Sequence, residues 1–250
     1  MHQKPALLSG GSSAATPAGR FVFSRLVAIF IALIFGTSAG QVFAGVQVIT
    51  NPSFETNTLA DGASTVDTIF AWSGSGTFGA LNPTSVQYAG AGGNVLPGPG
   101  TDGANVAYIN GSSTIFQSLS LTLAPNTTYT VTGAIGDPTG NTFGTAFAQL
   151  IAGSTLLANL NISDPGAGSF ATWTLSFSST GSSPGLGQAL EIVLGNSATG
   201  ASTVVNFDNI SLATQAPEPG TVALSLLGLG GMAACRLRIA KESKNRQQPV

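Results

Sequence analysis

The chain has 250 residues, enough for one ordinary domain with additions at its ends. Only 7% are charged, against about 25% in a typical soluble protein, and 43% are hydrophobic. The apolar residues are not gathered into many long runs, which excludes a polytopic membrane protein, and every basic side chain lies near one end or the other.

From Gly45 to Thr214 there is no Lys, Arg, His or Cys, while eight carboxylates (Glu55, Asp61, Asp67, Asp102, Asp137, Asp164, Glu191 and Asp208) give that span a formal charge of −8. Such a surface repels phosphate backbones, so nucleic acid is excluded as a partner, and cations suit it better, calcium above all.

In chain order, Lys4, Arg20 and Arg25 precede an apolar stretch of ten residues, Leu26 to Phe35, which is short for a membrane span and of the right length for a signal-peptide core. Val42-Phe43-Ala44 follows and supplies small residues at the two positions a signal peptidase inspects. The expectation is a signal peptide over 1–44, cleaved between Ala44 and Gly45.

The middle, 45–214, reads with period two. Leu119, Leu121 and Leu123 alternate with Ser120 and Thr122; Trp173, Leu175 and Phe177 with Thr174 and Ser176; Leu190, Ile192 and Leu194 with Glu191 and Val193. Residues two apart on a strand share a face, so each run has a buried side and a wetter side. Turn clusters separate the runs: Pro97-Gly98-Pro99-Gly100, Pro125-Asn126, Asp137-Pro138, Asp164-Pro165-Gly166 and Ser183-Pro184-Gly185. No segment keeps a helical stripe. The pattern predicts an all-β, antiparallel jelly-roll sandwich.

Within this span a serine triad would lack its imidazole, a thiol nucleophile its cysteine, a zinc site its usual ligands and a phosphate clamp its basic side chains. Carboxylate chemistry alone remains, with glycoside hydrolysis by two acids as its main case. Four of the eight acids, Asp61, Asp102, Asp137 and Asp164, adjoin Gly or Pro and read as turn residues. The expectation is therefore a non-enzymatic module. Trp72 and Trp173 follow apolar or alternating runs and read as core, while Tyr88 and Tyr108 lie near Gly-rich loops and are the candidates for an exposed ligand-binding surface.

The last segment changes character. Pro217-Glu218-Pro219 precedes Gly220 to Cys235, an apolar run of 16 residues or about 24 Å as a helix, which spans a bilayer only with basic ends reaching to the interface. Arg236 and Arg238 open a basic tail that the positive-inside rule keeps in the cytoplasm. The divisions expected are 215–240 for this motif and helix and 241–250 for the basic tail.

This order of Pro-Glu-Pro, short Leu/Gly/Ala-rich helix and arginines resembles the PEP-CTERM sorting signal of Gram-negative bacteria. The resemblance implies an exosortase as partner and a precursor held transiently in the inner membrane, with delivery to the cell surface or beyond, often beside exopolysaccharide and biofilm functions. In the middle, "ITNPSFETN" (49–57), "IFQSLSLTLAPNTTYTVT" (115–132), "ATWTLSFSSTG" (171–181) and "VNFDNISL" (205–212) together resemble galactose-binding-like jelly rolls and DUF642-type wall proteins. That second resemblance implies neighbouring first and last strands, a structural calcium at Glu55 and Asp208, and extracellular polysaccharide as ligand. A structural or adhesive coat protein without a defined ligand, and a carboxylate glycosidase, are the alternatives.

Overall fold

The computed structural model describes residues 44–47, 49–92, 95–200 and 202–216. The signal segment before Ala44 and the sorting-motif residues Pro217, Glu218, Pro219, Arg236 and Arg238, with their expected helices, lie outside the described residues.

The alternating runs become ten strands, and no helix occurs among the described residues. They are β1 (Ala44–Gln47), β2 (Ser73–Leu81), β3 (Val106–Thr122), β4 (Thr128–Asp137), β5 (Thr142–Phe143), β6 (Ala146–Ala152), β7 (Thr155–Asn161), β8 (Ser169–Ser178), β9 (Ala189–Asn196) and β10 (Thr203–Gln215). The strand order is β7-β6-β9-β3-β10-β4-β8, with β2 on β3, and β1 and β5 on β10. All pairings are antiparallel except the short one between β5 and β10.

β3 makes the fold close on itself. Its first part, Ala107–Asn110, pairs with β10, and its second part, from Ser113 on, pairs with β9. Between them Gly111 takes a φ of 57°, a left-handed conformation that glycine adopts without a side-chain clash. One strand thus serves both layers, and the path curls until its two ends, β7 and β8, come into contact. The result is an all-β, nearly closed antiparallel sandwich, as the alternation predicts.

The core lies between the layers. Leu190, Ile192 and Leu194 of β9 share one buried cluster with Ile115, Leu123, Val131, Ile135, Trp173, Val205 and Phe207. Full burial of each such side chain is worth about 1.5–3 kcal/mol. Trp173 packs edge-on against Phe207 at 6.3 Å and Trp72 tilts on Phe54 at 5.5 Å, so both tryptophans are core residues, as expected. The Pro125-Asn126 turn joins β3 to β4 with Asn126 at φ 52°. The buried Tyr129 hydroxyl accepts the Ala124 N–H at 2.7 Å and fastens that turn to the strand.

Candidate functional site

The outer face of the β3–β10–β4 layer carries a second cluster of buried residues. On β3, Ala107 and Ile109 face the main core, so Val106, Tyr108 and Asn110 face the other way. On β10, Val205 and Phe207 face the core, so Val204, Asn206 and Asp208 share the outer face. The register sets Asn206 opposite Tyr108 and Val204 opposite Asn110. On the other flank it sets Asn206 opposite Gly136 and Asp208 opposite Ala134 of β4. A Gly- and Pro-rich segment between β2 and β3 folds over this face and buries Tyr88, Ala91 and Leu96 against Val106, Ala134 and Phe170.

Tyr88 and Tyr108 are therefore buried, and the expectation that they are exposed is corrected. The Tyr88 ring stacks on Phe170 at 4.2 Å, and its hydroxyl accepts the Asn206 Nδ2–H at 2.9 Å. Gly136 makes room for this: a methyl group there would lie 2.5 Å from both the Tyr88 hydroxyl and the Phe170 ring. Burial raises the Tyr88 hydroxyl pKa well above its ordinary value; the Asn206 hydrogen bond opposes the shift and the Asp137 charge adds to it. Tyr108 donates its hydroxyl to the Thr65 carbonyl at 2.7 Å, and its pKa is raised by burial and then by Asp67. The sequence held a signal for both. In Val106–Ile109 apolar residues occupy both parities, which marks a strand covered on two sides.

A cavity of about 280 Å³ opens beside this cluster, lined by Ser64, Leu81, Gln87, Tyr108, Asn110 and Val204 among others. Polar groups on this strand face are incompletely matched. The Oδ1 atoms of Asn110 and Asn206 are buried without a hydrogen-bond partner. Buried polar groups are rarely left so, and those that are require an explanation.

The two acids expected to hold calcium meet at the end of the same face. Glu55 Oε1 accepts the N–H groups of Ala104 and Asn105 at 2.8 and 2.6 Å. Asp208 Oδ2 accepts the Asp102 N–H at 2.8 Å, its Oδ1 the Asn209 N–H at 2.6 Å, and Asp102 accepts the Ser53 hydroxyl at 3.0 Å. The opening and closing motifs are thereby joined, and Ile210 N–H donates to the Pro52 carbonyl at 3.0 Å. Gly103, at φ 73°, lies against Glu55: a methyl group added there would sit 2.5 Å from the Glu55 carboxylate. Asp208 is fully buried, and burial pushes its carboxyl up to about 8, against the two N–H bonds and with help from the charges of Glu55 and Asp102. Among the described residues, no three His, Cys, Asp or Glu side chains converge as a metal-ligand group.

A second cavity, about 290 Å³, lies where β7 and β8 approach, lined by Ile135, Leu160, Ile162, Asp164 and Trp173 among others. Nearby Asp137 is buried rather than a simple turn residue. Burial raises its pKa, followed by the charge of Asp164 and a hydrogen bond to it.

Residues 46–213 match the family model described as HpiC1 cyclase. The chain belongs to the HpiC1-like family. Two solved cyclases from Fischerella sp. TAU agree with it. One, the Stig cyclase Fisc in complex with (3Z)-3-(1-methyl-2-pyrrolidinylidene)-3H-indole, is 28% identical with a TM-score of 0.60; the match covers 70% of this chain and 100% of that one. The other, in complex with 4-(1H-indol-3-yl)butan-2-one, is 29% identical at the same TM-score and coverage. No curated protein matches the chain. Residues 215–239 match the PEP-CTERM protein-sorting motif, so this HpiC1-like protein is exported as a membrane-anchored precursor that an exosortase sorts.

These matches overturn two expectations. The domain has the cyclase-type β-fold of the HpiC1-like family in place of a DUF642-type carbohydrate-binding domain, which removes the basis for the polysaccharide reading. The expectation of a non-enzymatic module falls as well, because the family and its solved relatives are cyclases. The physical error was narrow. Missing histidine, cysteine, lysine and arginine exclude nucleophilic and imidazole chemistry, but ring closure within one molecule asks for proton donors, acceptors and a shaped pocket, which phenols, amides and carboxyls supply.

Proposed function

We propose that the exported domain is a cyclase that closes a ring within one small organic molecule held on the Tyr108–Asn206 face. What carries this reading is the family match over 46–213, taken with a cavity on a strand face lined by hydrogen-bonding side chains, Tyr108, Asn110 and Gln87 among them. The Fischerella relatives were solved with indole-bearing molecules, so these are the first class to test.

An intramolecular ring closure conserves mass: a new bond forms, a multiple bond is consumed, and a proton given at one atom is returned from another. The side chains present suit that task. The cavity wall carries the hydroxyl and amide groups of Ser64, Gln87, Tyr108 and Asn110, and the Asn206 Nδ2–H donated to the Tyr88 oxygen fixes the buried Tyr88 on the same face. The test is incubation of the full-length protein with indole-bearing candidates and a search for a product of unchanged mass and altered retention. Tyr88→Phe should lose that product while Gly181→Ala, whose added methyl meets nothing, keeps it.

Processing completes the reading: signal peptidase cleaves between Ala44 and Gly45, exosortase acts at Pro217-Glu218-Pro219 with Arg236 and Arg238 held inside, and the domain reaches the surface of a Gram-negative cell. Calcium at Glu55 and Asp208 is a structural part of the same proposal. Its support is the mutual repulsion of Glu55, Asp102 and Asp208, with no basic side chain between Gly45 and Thr214 to offset it. Backbone carbonyls would complete a shell of six to eight oxygens. Its test is a calcium-dependent rise in melting temperature that Asp208→Asn abolishes.

A further inference from the structure

Gln87 lines the Tyr108 cavity and is held from three sides. Its N–H donates to the Thr84 carbonyl at 3.0 Å, closing a tight turn, and its own carbonyl accepts the Thr139 N–H at 3.0 Å. Its side-chain Oε1 accepts the Thr84 N–H at 3.0 Å and the Thr84 hydroxyl at 3.5 Å. A backbone N–H can only donate, so the oxygen of this amide is the atom turned to Thr84, and the nitrogen is turned away from it.

That nitrogen carries two hydrogens and gives neither to a protein group. It is not among the sealed, unmatched atoms, as Asn110 Oδ1 and Asn206 Oδ1 are, so it keeps accessible surface on a residue of the cavity wall. Ser64 and Asn141 also offer donors in that wall, but no hydrogen bond fixes their side chains, and they are free to turn. Tyr108 has given its only hydrogen to the Thr65 carbonyl at 2.7 Å. Gln87 is thus the donor aimed before a ligand arrives, and a donor held in advance loses little further freedom on pairing.

The rest of the wall restricts the ligand's charge. No charged side chain is among the described residues that line the cavity. An anion would find no basic partner between Gly45 and Thr214 and would meet the repulsion of eight carboxylates. A cation would find no carboxylate in contact. Leu81 and Val204 supply apolar surface in the same wall.

We infer that Gln87 Nε2–H is the donor that orients the ligand of this cavity, and that the ligand is neutral and bears a hydrogen-bond acceptor of the carbonyl class, with its hydrocarbon part on Leu81 and Val204. The inference rests on the cyclase reading for the location of the site and adds the residue that grips the ligand and the group it grips.

The test is calorimetry on the full-length protein in detergent with two probes: 4-(1H-indol-3-yl)butan-2-one, and 3-butylindole, which keeps the ring and the carbon chain and lacks the oxygen. The ketone should bind about five- to tenfold tighter, the worth of one aimed hydrogen bond. Gln87→Glu keeps an oxygen for the Thr84 N–H and puts an acceptor where the donor was. It should bring the ketone to within about twofold of 3-butylindole and raise the infrared carbonyl stretch of the bound ketone, while 3-butylindole binds as before. Ser64→Ala and Asn141→Ala should leave the ratio of the two affinities in place. If the two probes bind the parent equally well, the inference is overturned and the cyclase reading stands. A ratio that survives in Gln87→Glu overturns it too, as does a ratio that Ser64→Ala or Asn141→Ala removes. If neither probe binds, the cyclase reading fails and this inference fails with it.

Discussion

Asn206 donates its side-chain N–H to the Tyr88 hydroxyl at 2.9 Å, joining residues 118 apart in the chain and fixing the β2–β3 segment to the face of β10. Both residues are fully buried, so neither group can turn to water if its partner is lost. Tyr88→Phe should lower stability by roughly 1–3 kcal/mol, the cost of a buried donor left unmatched. Asn206→Ala with Tyr88→Phe should cost less than the two single changes added together. Urea denaturation of the four proteins measures the difference.

Gly136 should tolerate no side chain. An alanine methyl would sit 2.5 Å from the Tyr88 hydroxyl and the Phe170 ring, inside van der Waals contact. Gly136→Ala is expected to destabilise by about 1–3 kcal/mol and to displace Tyr88. Gly181→Ala, which meets nothing within 4 Å, should stay within about 0.5 kcal/mol of the parent. Thermal melts of both variants check the contrast.

Glu55 holds the 104–105 turn through one oxygen that takes two backbone N–H groups. Glu55→Gln keeps an acceptor and should cost little. Glu55→Ala removes it and should cost about 1–2 kcal/mol, moderated because Glu55 is exposed and water can replace part of the bond. Hydrogen exchange at Ala104 and Asn105 should quicken in the alanine variant only.

Stability should depend on pH in a direction set by Asp208. Its folded carboxyl titrates at about 8, above the ordinary 3.8, so between these values the folded state holds a proton that the unfolded state has lost. Stability in a calcium chelator should therefore be greatest below about pH 4, fall as pH rises toward about 8, and level off beyond. Asp137, raised in the same direction, adds to the slope at its lower end. Asp208→Asn should flatten most of it, which denaturant midpoints across that range will reveal.

The layers of this fold were legible because alternation is a local property: Leu119 to Leu123, Trp173 to Phe177 and Leu190 to Leu194 each declare a face within a few residues. The covered outer face was not, because it depends on which distant segment lies on it. Tyr88 sits among glycines that read as an exposed loop, and nothing near it in the chain names Phe170 or Asn206 as partners. The meeting of Glu55 with Asp208 came from the resemblance of the opening and closing motifs, and spacing alone could not have supplied it. The enzymatic character of the family was not legible because the residues excluded belong to other chemistries.

The two proposed processing sites flank one structural feature. β1 pairs with the end of β10, Ala44 opposite Gln215 and Gly45 opposite Thr214, so the expected new N-terminus lies within a strand beside the start of the sorting motif. Intact mass of the mature protein from cells should show loss of everything before Gly45 and of the segment after about Pro219. A mature form retaining Arg236 to Val250 would contradict exosortase processing.

The most direct test of the cyclase reading is a crystal structure of the protein soaked with 4-(1H-indol-3-yl)butan-2-one, the molecule bound by a Fischerella relative. The account predicts that it occupies the cavity beside Tyr108, Asn110 and Val204. Density instead in the β7–β8 cavity beside Trp173, with the Tyr108 face empty, would contradict it.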